Sequence, residues 1–322
     1  LCASRLVLPP RFPLPLSSLP PPVDLLTHCP LCEHETFRPH RTCRDHTASG
    51  ELFDIVECET CGFRFTNPRP SADEMGRYYE SADYTPHQDT SQGLLDVLYR
   101  GARLYTLRSK HRLVSSLVPH SPGRLLDFGC GTGEFLNLCH SKGWDAQGLD
   151  PDPQAQAVAA QKYGVAVDDP AQLRTMPDDH FDAITLWHVL EHVPDLVATV
   201  EQLKRTLAPS GTLLVAVPNC ASLDAQFYGA DWAAYDVPRH LYHFRPDDVR
   251  RLAAHAGLTV SDIRPMRLDA VYVSLLSEQY RDGWLLRAPV VAALSTLWAA
   301  RHEHRHSAQL YLLRHTDAPW TG

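Results

Sequence analysis

The chain lacks any uninterrupted apolar run of the 18 or so residues needed to span a bilayer, although 44% of its 322 residues are hydrophobic. No membrane span is therefore expected. Positive charge is also short: 30 Lys and Arg stand against 38 Asp and Glu, for a formal net charge of −8. A duplex or structured-RNA substrate favours a basic surface, so this balance weighs against nucleic acid as partner. Nor do the nine cysteines make a disulfide framework. They fall as two C-x-x-C pairs plus scattered singles, a distribution that suits a reducing cytoplasm and metal thiolates. The first 22 residues, Leu1 to Pro22, have no initiator Met, and proline interrupts each apolar stretch. A signal-peptide core is thereby disfavoured, and this segment reads as a disordered tail or as upstream sequence translated from a misplaced start.

A dinucleotide-type G-x-G-x-x-G is missing as well. In its place stands Asp127-Phe128-Gly129-Cys130-Gly131-Thr132-Gly133, after the apolar run Arg124-Leu125-Leu126 and before Glu134-Phe135-Leu136-Asn137-Leu138-Cys139 with helical spacing. Strand, glycine turn and helix together bring a nucleotide-like ligand against bare backbone at a helix N-terminus. The glycines permit positive φ and a close approach that a Cβ would block. A carboxylate at the head of the turn repels a pyrophosphate but suits an amino-acid ammonium group, which points to S-adenosylmethionine. A second acid, Asp150, ends the next strand pattern, where βαβ nucleotide sites bind ribose hydroxyls. Further strand patterns follow at Phe181 to Leu186 and Thr212 to Val217, the latter entered through a turn at Pro209-Ser210-Gly211.

Taken in order, these motifs resemble the class I S-adenosylmethionine-dependent methyltransferases from about Arg124 to Thr316. The resemblance implies an α/β fold: a Rossmann-like seven-stranded sheet with a small N-terminal zinc ribbon and a helical insertion before the last strand. It implies cofactor contacts from Asp127, Phe128, Gly129, Cys130, Gly131, Gly133 and Asp150. It places Asp169 at the adenine amino group, with Asp168 the competing choice, and Leu186, Trp187 and His188 beside the methionyl portion. Ser210 and Arg245 depart from the family pattern, in the P-G-G turn and at the helix N-cap before Pro246, without touching the cofactor motif.

Cys29-Pro30-Leu31-Cys32 and Cys58-Glu59-Thr60-Cys61-Gly62 form two knuckles that flank an alternating strand pattern at Glu51 to Glu57. Four thiolates suit tetrahedral Zn²⁺ in a closed, structural site. His34, Cys43 and His46 in the same window read as surface or packing residues. The connector Phe63-Arg64-Phe65-Thr66-Asn67-Pro68-Arg69-Pro70, the segment Tyr78-Tyr79-Glu80-Ser81-Ala82-Asp83-Tyr84 and a helix from about Gly93 to Val118 follow. Together with the knuckles they resemble a zinc-ribbon-bearing bacterial branch of these methyltransferases that is defined by sequence rather than by substrate.

Methyl transfer to a hydroxyl or an acidic carbon requires a positioned nucleophile and removal of a proton, for which histidine is suited near neutrality. The candidates are His240, His192, His188 and His243. His188 and His192 would share a face if a helix begins there, and the loop from Asn219 to Phe244 would bring His240 to face His192, with Trp232 and Tyr235 as an apolar wall. His302, His304 and His306 alternate within a charged run and read as a solvated helix end. The expected organisation is a tail at 1–24, the ribbon at 25–70, a helical cap or linker at 71–120 and the catalytic domain at 121–322, with an insertion at about 268–306. The insertion is apolar and helical in pattern, and reads as a lid over the acceptor pocket or as a homodimer contact. The chain is thus expected to be a cytoplasmic methyltransferase acting on an oxygen or carbon of a small-molecule acceptor (sugar, lipid-linked or secondary metabolite). An RNA methyltransferase and a non-catalytic cofactor-binding or zinc-scaffold subunit are the alternatives.

Overall fold

The computed structural model describes residues 23–79 and 94–316. The Leu1–Pro22 segment and residues 80–84 of the Tyr78–Tyr84 motif lie outside the described residues. Three strands, β1 (Phe37–Arg44), β2 (Leu52–Cys58) and β3 (Arg64–Thr66), build an antiparallel ribbon. Helix α1 (Leu94–Leu117) leads to β4 (Arg124–Phe128), α2 (Glu134–Ser141), β5 (Asp145–Leu149), α3 (Pro153–Tyr163), the short β6 (Val167–Asp168) and β7 (Phe181–Trp187). Then come α4 (Leu196–Thr206), β8 (Leu207–Pro218), α5 (Leu223–Tyr228), β9 (Tyr242–His243), α6 (Pro246–His255) and β10 (Leu258–Pro265). The insertion forms α7 (Asp269–Tyr280) and α8 (Ala288–Ala299) before β11 (Ala308–His315).

The central sheet has seven strands in the order β10-β11-β8-β7-β4-β5-β6. Its strands run parallel except β11, which is antiparallel to both neighbours. β4 is buried at Leu125, Leu126, Asp127 and Phe128, as a central strand covered on both faces must be. In α4 the buried Leu196, Val200 and Leu203 recur at helical spacing and seat it on the sheet. Strand order reverses between β4 and β7, so the crevice for a ligand opens at their carboxyl ends. The strand patterns at Arg124, ahead of Asp150, at Phe181 to Leu186 and at Thr212 to Val217 agree with β4, β5, β7 and β8, and the helix expected up to Val118 agrees with α1.

Two local expectations are corrected. Pro209-Ser210-Gly211 is absorbed into β8 as an irregularity between Leu207 and Thr212. There a Cβ on Gly211 would lie 2.8 Å from the Phe181 carbonyl oxygen, so the bulge needs a residue without one. No helix begins at His188 either. That residue has φ +59°, the chain turns at Leu190–His192, and α4 starts only at Leu196. His188 and His192 therefore share no helical face.

The ribbon is not a satellite with a core of its own. Its sheet is completed by β9 of the catalytic region, which pairs with β3 through Tyr242↔Phe65 and His243↔Arg64. Phe63 and Phe65, both fully buried, join the same hydrophobic cluster as Leu126, Phe128 and Val215. Each such side chain contributes on the order of 2 kcal/mol by burial. Arg245, which stands where a Ser or Thr cap is usual, is part of this joint. Asp248 accepts from its backbone N at 2.9 Å and from its Nε at 3.0 Å, while its Nη2 donates to the Gly62 carbonyl. The departure at the N-cap thus ties helix α6 to the second cysteine knuckle.

Candidate active site and metal centre

At the switch point the glycines divide their work. A Cβ on Gly129 would meet Val189 at 2.3 Å, so that glycine is required by packing. Gly131, at φ +54°, has nothing within 4 Å of its Cβ position. This open cradle is where a ligand can approach bare backbone. Asp127 ends in it, 2% exposed, accepting from Thr185 Oγ1 at 2.6 Å. Burial pushes its pKa up to about 6, against the opposing effects of Thr185 and Lys110. An ammonium group placed beside it would restore the carboxylate. Asp150 accepts from Gly131 N at 2.7 Å and from Asp152 N at 3.0 Å, which ties the glycine turn to the end of β5. Asp169 accepts from Ala171 N at 2.8 Å and caps the short turn after β6. Cys130 packs against the Cβ position of Gly148, and Leu186 lies within β7. An open backbone position at Gly131 flanked by two buried carboxylates suits the chemistry of S-adenosylmethionine.

Beyond Trp187 three titratable side chains converge. One ligand atom from each of Glu191, His192 and His240 lies within 4.8 Å of the others. The two imidazole rings meet edge to face with centroids 4.6 Å apart. His192 Nδ1 lies 3.0 Å from the Arg239 carbonyl, and His240 Nδ1 lies 2.9 Å from the Ala234 carbonyl. A carbonyl only accepts, so both Nδ1 atoms carry a proton, and His240 Nε2 lies 3.9 Å from Asp236 Oδ2. Burial and the neighbouring His240 lower the His192 pKa to about 4, so this ring is neutral. Glu191 is fully buried, and neither carboxylate oxygen accepts a hydrogen bond from the described residues.

His188 plays a different part. Its Nε2 lies 2.9 Å from Asp269 at the start of α7 and its Nδ1 lies 3.5 Å from Glu191. Burial alone would lower its pKa, but these two carboxylates outweigh it and push it up to about 10. An imidazolium at neutral pH cannot act as a general base, so His188 serves as the counter-ion of Glu191. His243 is buried on the ribbon side, with Nε2 3.2 Å from Thr66 Oγ1 and its ring against Tyr235, outside the cluster. Of the four candidate histidines the fold thus brings His192 and His240 together and sets His188 beside them.

Sequence reasoning missed four residues here. Tyr79 places its hydroxyl 3.0 Å from His192 Nδ1. Glu191 lies between the two candidate histidines His188 and His192 with no pattern of its own to mark it. Lys110 lies 4.3 Å over the Trp187 ring, and burial lowers its pKa despite Asp127 and Asp269. Asp269 arrives from the insertion. None of these has a local signature, since each acquires meaning only from a distant segment. The ribbon also reaches the cluster. Arg239, fully buried, donates to Asp45 at 3.0 Å and to the Tyr78 carbonyl at 2.9 Å, and Thr66 Oγ1 donates to the His240 carbonyl at 2.9 Å.

The sulfurs of Cys29, Cys32, Cys58 and Cys61 all lie within 4.8 Å of one another, with Cys29–Cys61 and Cys32–Cys58 at 3.6 Å. Four ligands at the usual Zn–S length of about 2.3 Å stand about 3.8 Å apart around a tetrahedron, so the cage has the right size. Burial pushes the Cys61 thiol up to about 11, a cost that a divalent cation would remove. Cys43 is buried outside this cage.

The family model for a methyltransferase domain matches residues 99–263. The chain belongs to that family and is a class I S-adenosylmethionine-dependent methyltransferase. It is 31% identical over 169 residues to a ubiquinone biosynthesis O-methyltransferase of Xylella fastidiosa (strain 9a5c), covering 48% of this chain and 69% of the relative. A protein of the same name from Chelativorans sp. (strain BNC1) is 30% identical over 151 residues, covering 43% of this chain and 60% of the relative. Among solved structures, a SAM-dependent methyltransferase from Archaeoglobus fulgidus aligns with a TM-score of 0.46 at 20% identity, over 68% of this chain and 97% of that one. The family match leaves out the ribbon and the insertion. Among the described residues no helix is long and apolar enough to cross a membrane.

Proposed function

We propose that the enzyme methylates a hydroxyl oxygen of a small-molecule acceptor, with His240 taking the hydroxyl proton and His192 orienting the acceptor beside it. The observation that carries this reading is the pair of imidazoles meeting edge to face whose Nδ1 atoms are committed to backbone carbonyls, so that each ring's Nε2 is the atom left to meet an acceptor. The O-methyltransferase names of the relatives support oxygen over carbon. When bound, S-adenosylmethionine supplies a methyl on a sulfonium whose departure leaves a neutral thioether. Asp127 holds the ammonium end, Asp150 the ribose hydroxyls, and Gly131 gives the close backbone approach. At the acceptor, the hydroxyl oxygen gains the methyl and its proton passes to His240 Nε2. His240→Ala should leave cofactor affinity unchanged and lower turnover by roughly 10²–10⁴. Wild-type turnover in that variant would remove His240 from the mechanism, and an equal loss of cofactor binding would point to a collapsed loop.

A second reading rests on Glu191. A buried carboxylate, paired with His188 at 3.5 Å and grouped with two imidazole nitrogens, is also a ligand set for a divalent cation. In that case His192 and His240 hold the metal, which would lower the pKa of a bound acceptor hydroxyl. Turnover abolished by a chelator and restored by added Mg²⁺ or Mn²⁺ selects this reading, and turnover indifferent to chelation selects the first.

For the cysteine cage we propose one structural Zn²⁺ held by Cys29, Cys32, Cys58 and Cys61. Four thiolates leave no open position for catalysis. Elemental analysis should find one zinc per chain, and Cys58→Ser should lose it. Metal-free wild-type protein would refute the assignment. The insertion fits a lid, since Asp269 at the start of α7 reaches His188 while α7 packs on the 233–235 turn. Its outward residues Leu268, Tyr272, Val290, Leu294 and Leu297 remain exposed and would suit a contact between two copies. Sedimentation equilibrium tests that contact: a monomer at high micromolar concentration rules it out.

A further inference from the structure

Five arginines from three parts of the chain line one cleft of about 590 Å³ that the methyl-transfer chemistry does not use. They are Arg64 on β3, Arg245, Arg250 and Arg251 at the first turns of α6, and Arg305 ahead of β11. We propose that this cleft binds an organic diphosphate. Three carboxylates pair with these arginines, Asp248 meeting Arg251 as well at 3.8 Å, and a fourth, Glu303, pairs with His304. Glu57 and Asp248 lie buried behind the wall, at 2.7 Å from Arg64 and 3.0 Å from Arg245, and hold those two guanidiniums in place. Asp247 pairs with Arg250 at 3.0 Å and is 75% exposed, and Glu303 is 91% exposed, so water screens both.

What singles the cleft out is the arrangement of donors. Each rim guanidinium is anchored through its Nη1. Arg250 donates to Asp247, Arg251 to the Cys61 carbonyl at 2.6 Å and Arg305 to the Ala221 carbonyl at 3.2 Å. A guanidinium has five N–H donors in a rigid fork. One anchored nitrogen fixes the fork and leaves its other donors for the paired oxygens of a phosphate. The volume exceeds what one phosphate needs and is in the range for a ligand of nucleotide size. Cys220 forms the inner wall, and its Sγ lies 3.3 Å from the His243 carbonyl. The cleft therefore backs onto the histidine-bearing loop but shares no residue with the cofactor crevice.

Titration calorimetry with uridine diphosphate on the full-length, zinc-loaded protein tests this. Saturable binding with a Kd below about 1 mM is expected, weakening as salt is raised. The double variant Arg250→Gln/Arg305→Gln, which leaves the zinc cage untouched, should weaken it about tenfold or more while binding of S-adenosylmethionine stays unchanged. Inorganic pyrophosphate should compete, because the diphosphate is the part recognised. Absence of saturable binding, equal affinity in the variant, or failure of pyrophosphate to compete would each overturn the assignment.

Discussion

The cofactor edge and the acceptor cluster lie side by side, yet they are built in opposite ways. The cofactor edge comes mainly from one short stretch, Asp127 to Gly133, with Asp150 and Thr185 as remote supports. The acceptor cluster draws Tyr79, Glu191-His192, Arg239-His240 and Asp269 from four distant parts of the chain. A contiguous turn tolerates change elsewhere in the molecule, because its geometry is set by its own backbone. A cluster assembled from separate segments depends on every joint that holds those segments, including the ribbon. The difference predicts which perturbations damage one half and spare the other.

The sharpest separation is expected from Gly131→Val. Its Cβ meets no protein atom within 4 Å, so the fold should survive, at a backbone cost of about 1–2 kcal/mol for φ +54°. The added side chain fills the cradle, and affinity for S-adenosylmethionine should fall by about 100-fold or more, read by calorimetry. Near-normal affinity would mean the cofactor does not approach this glycine, and the asymmetry between the two halves would lose its basis.

Asp45→Ala probes the opposite half at the next largest effect. It leaves Arg239 with only part of its charge compensation at a fully buried position, which should destabilise the fold by about 3 kcal/mol. Denaturant unfolding measures the loss. Below the transition, turnover should fall more than cofactor affinity, because Arg239 adjoins His240 and not Asp127. A variant with lowered cofactor affinity and intact turnover would contradict the view that the ribbon buttresses the acceptor side. Removing everything before Arg124 goes further in the same direction, since it strips Phe63 and Phe65 from the shared core.

The mildest test concerns the ion pairs of His188. Its folded pKa of about 10 lies above the ordinary value of 6.5. Its pairs therefore contribute stability that is fully present below about pH 6.5 and is lost as pH rises through about 10. Asp269→Asn should flatten that part of the dependence of Tm on pH. An unchanged slope would show that the contact between the insertion and His188 is not formed in solution, and with it the lid reading would fail.

Sequence alone determined the half of this protein whose physics is local. Alternation and apolar runs placed the strands, positive-φ glycines marked the turn, and the C-x-x-C spacing marked the knuckles, because each depends on residues only a few positions apart. Tertiary structure decided the rest. It added β9 to the ribbon, made His188 an imidazolium by bringing Asp269 beside it, and turned Glu191 from a neighbour of a candidate into a member of the site. These outcomes rest on burial and on electrostatic partners far away in sequence. A side chain's charge state and its free lone pairs are fixed only when the fold chooses what surrounds it.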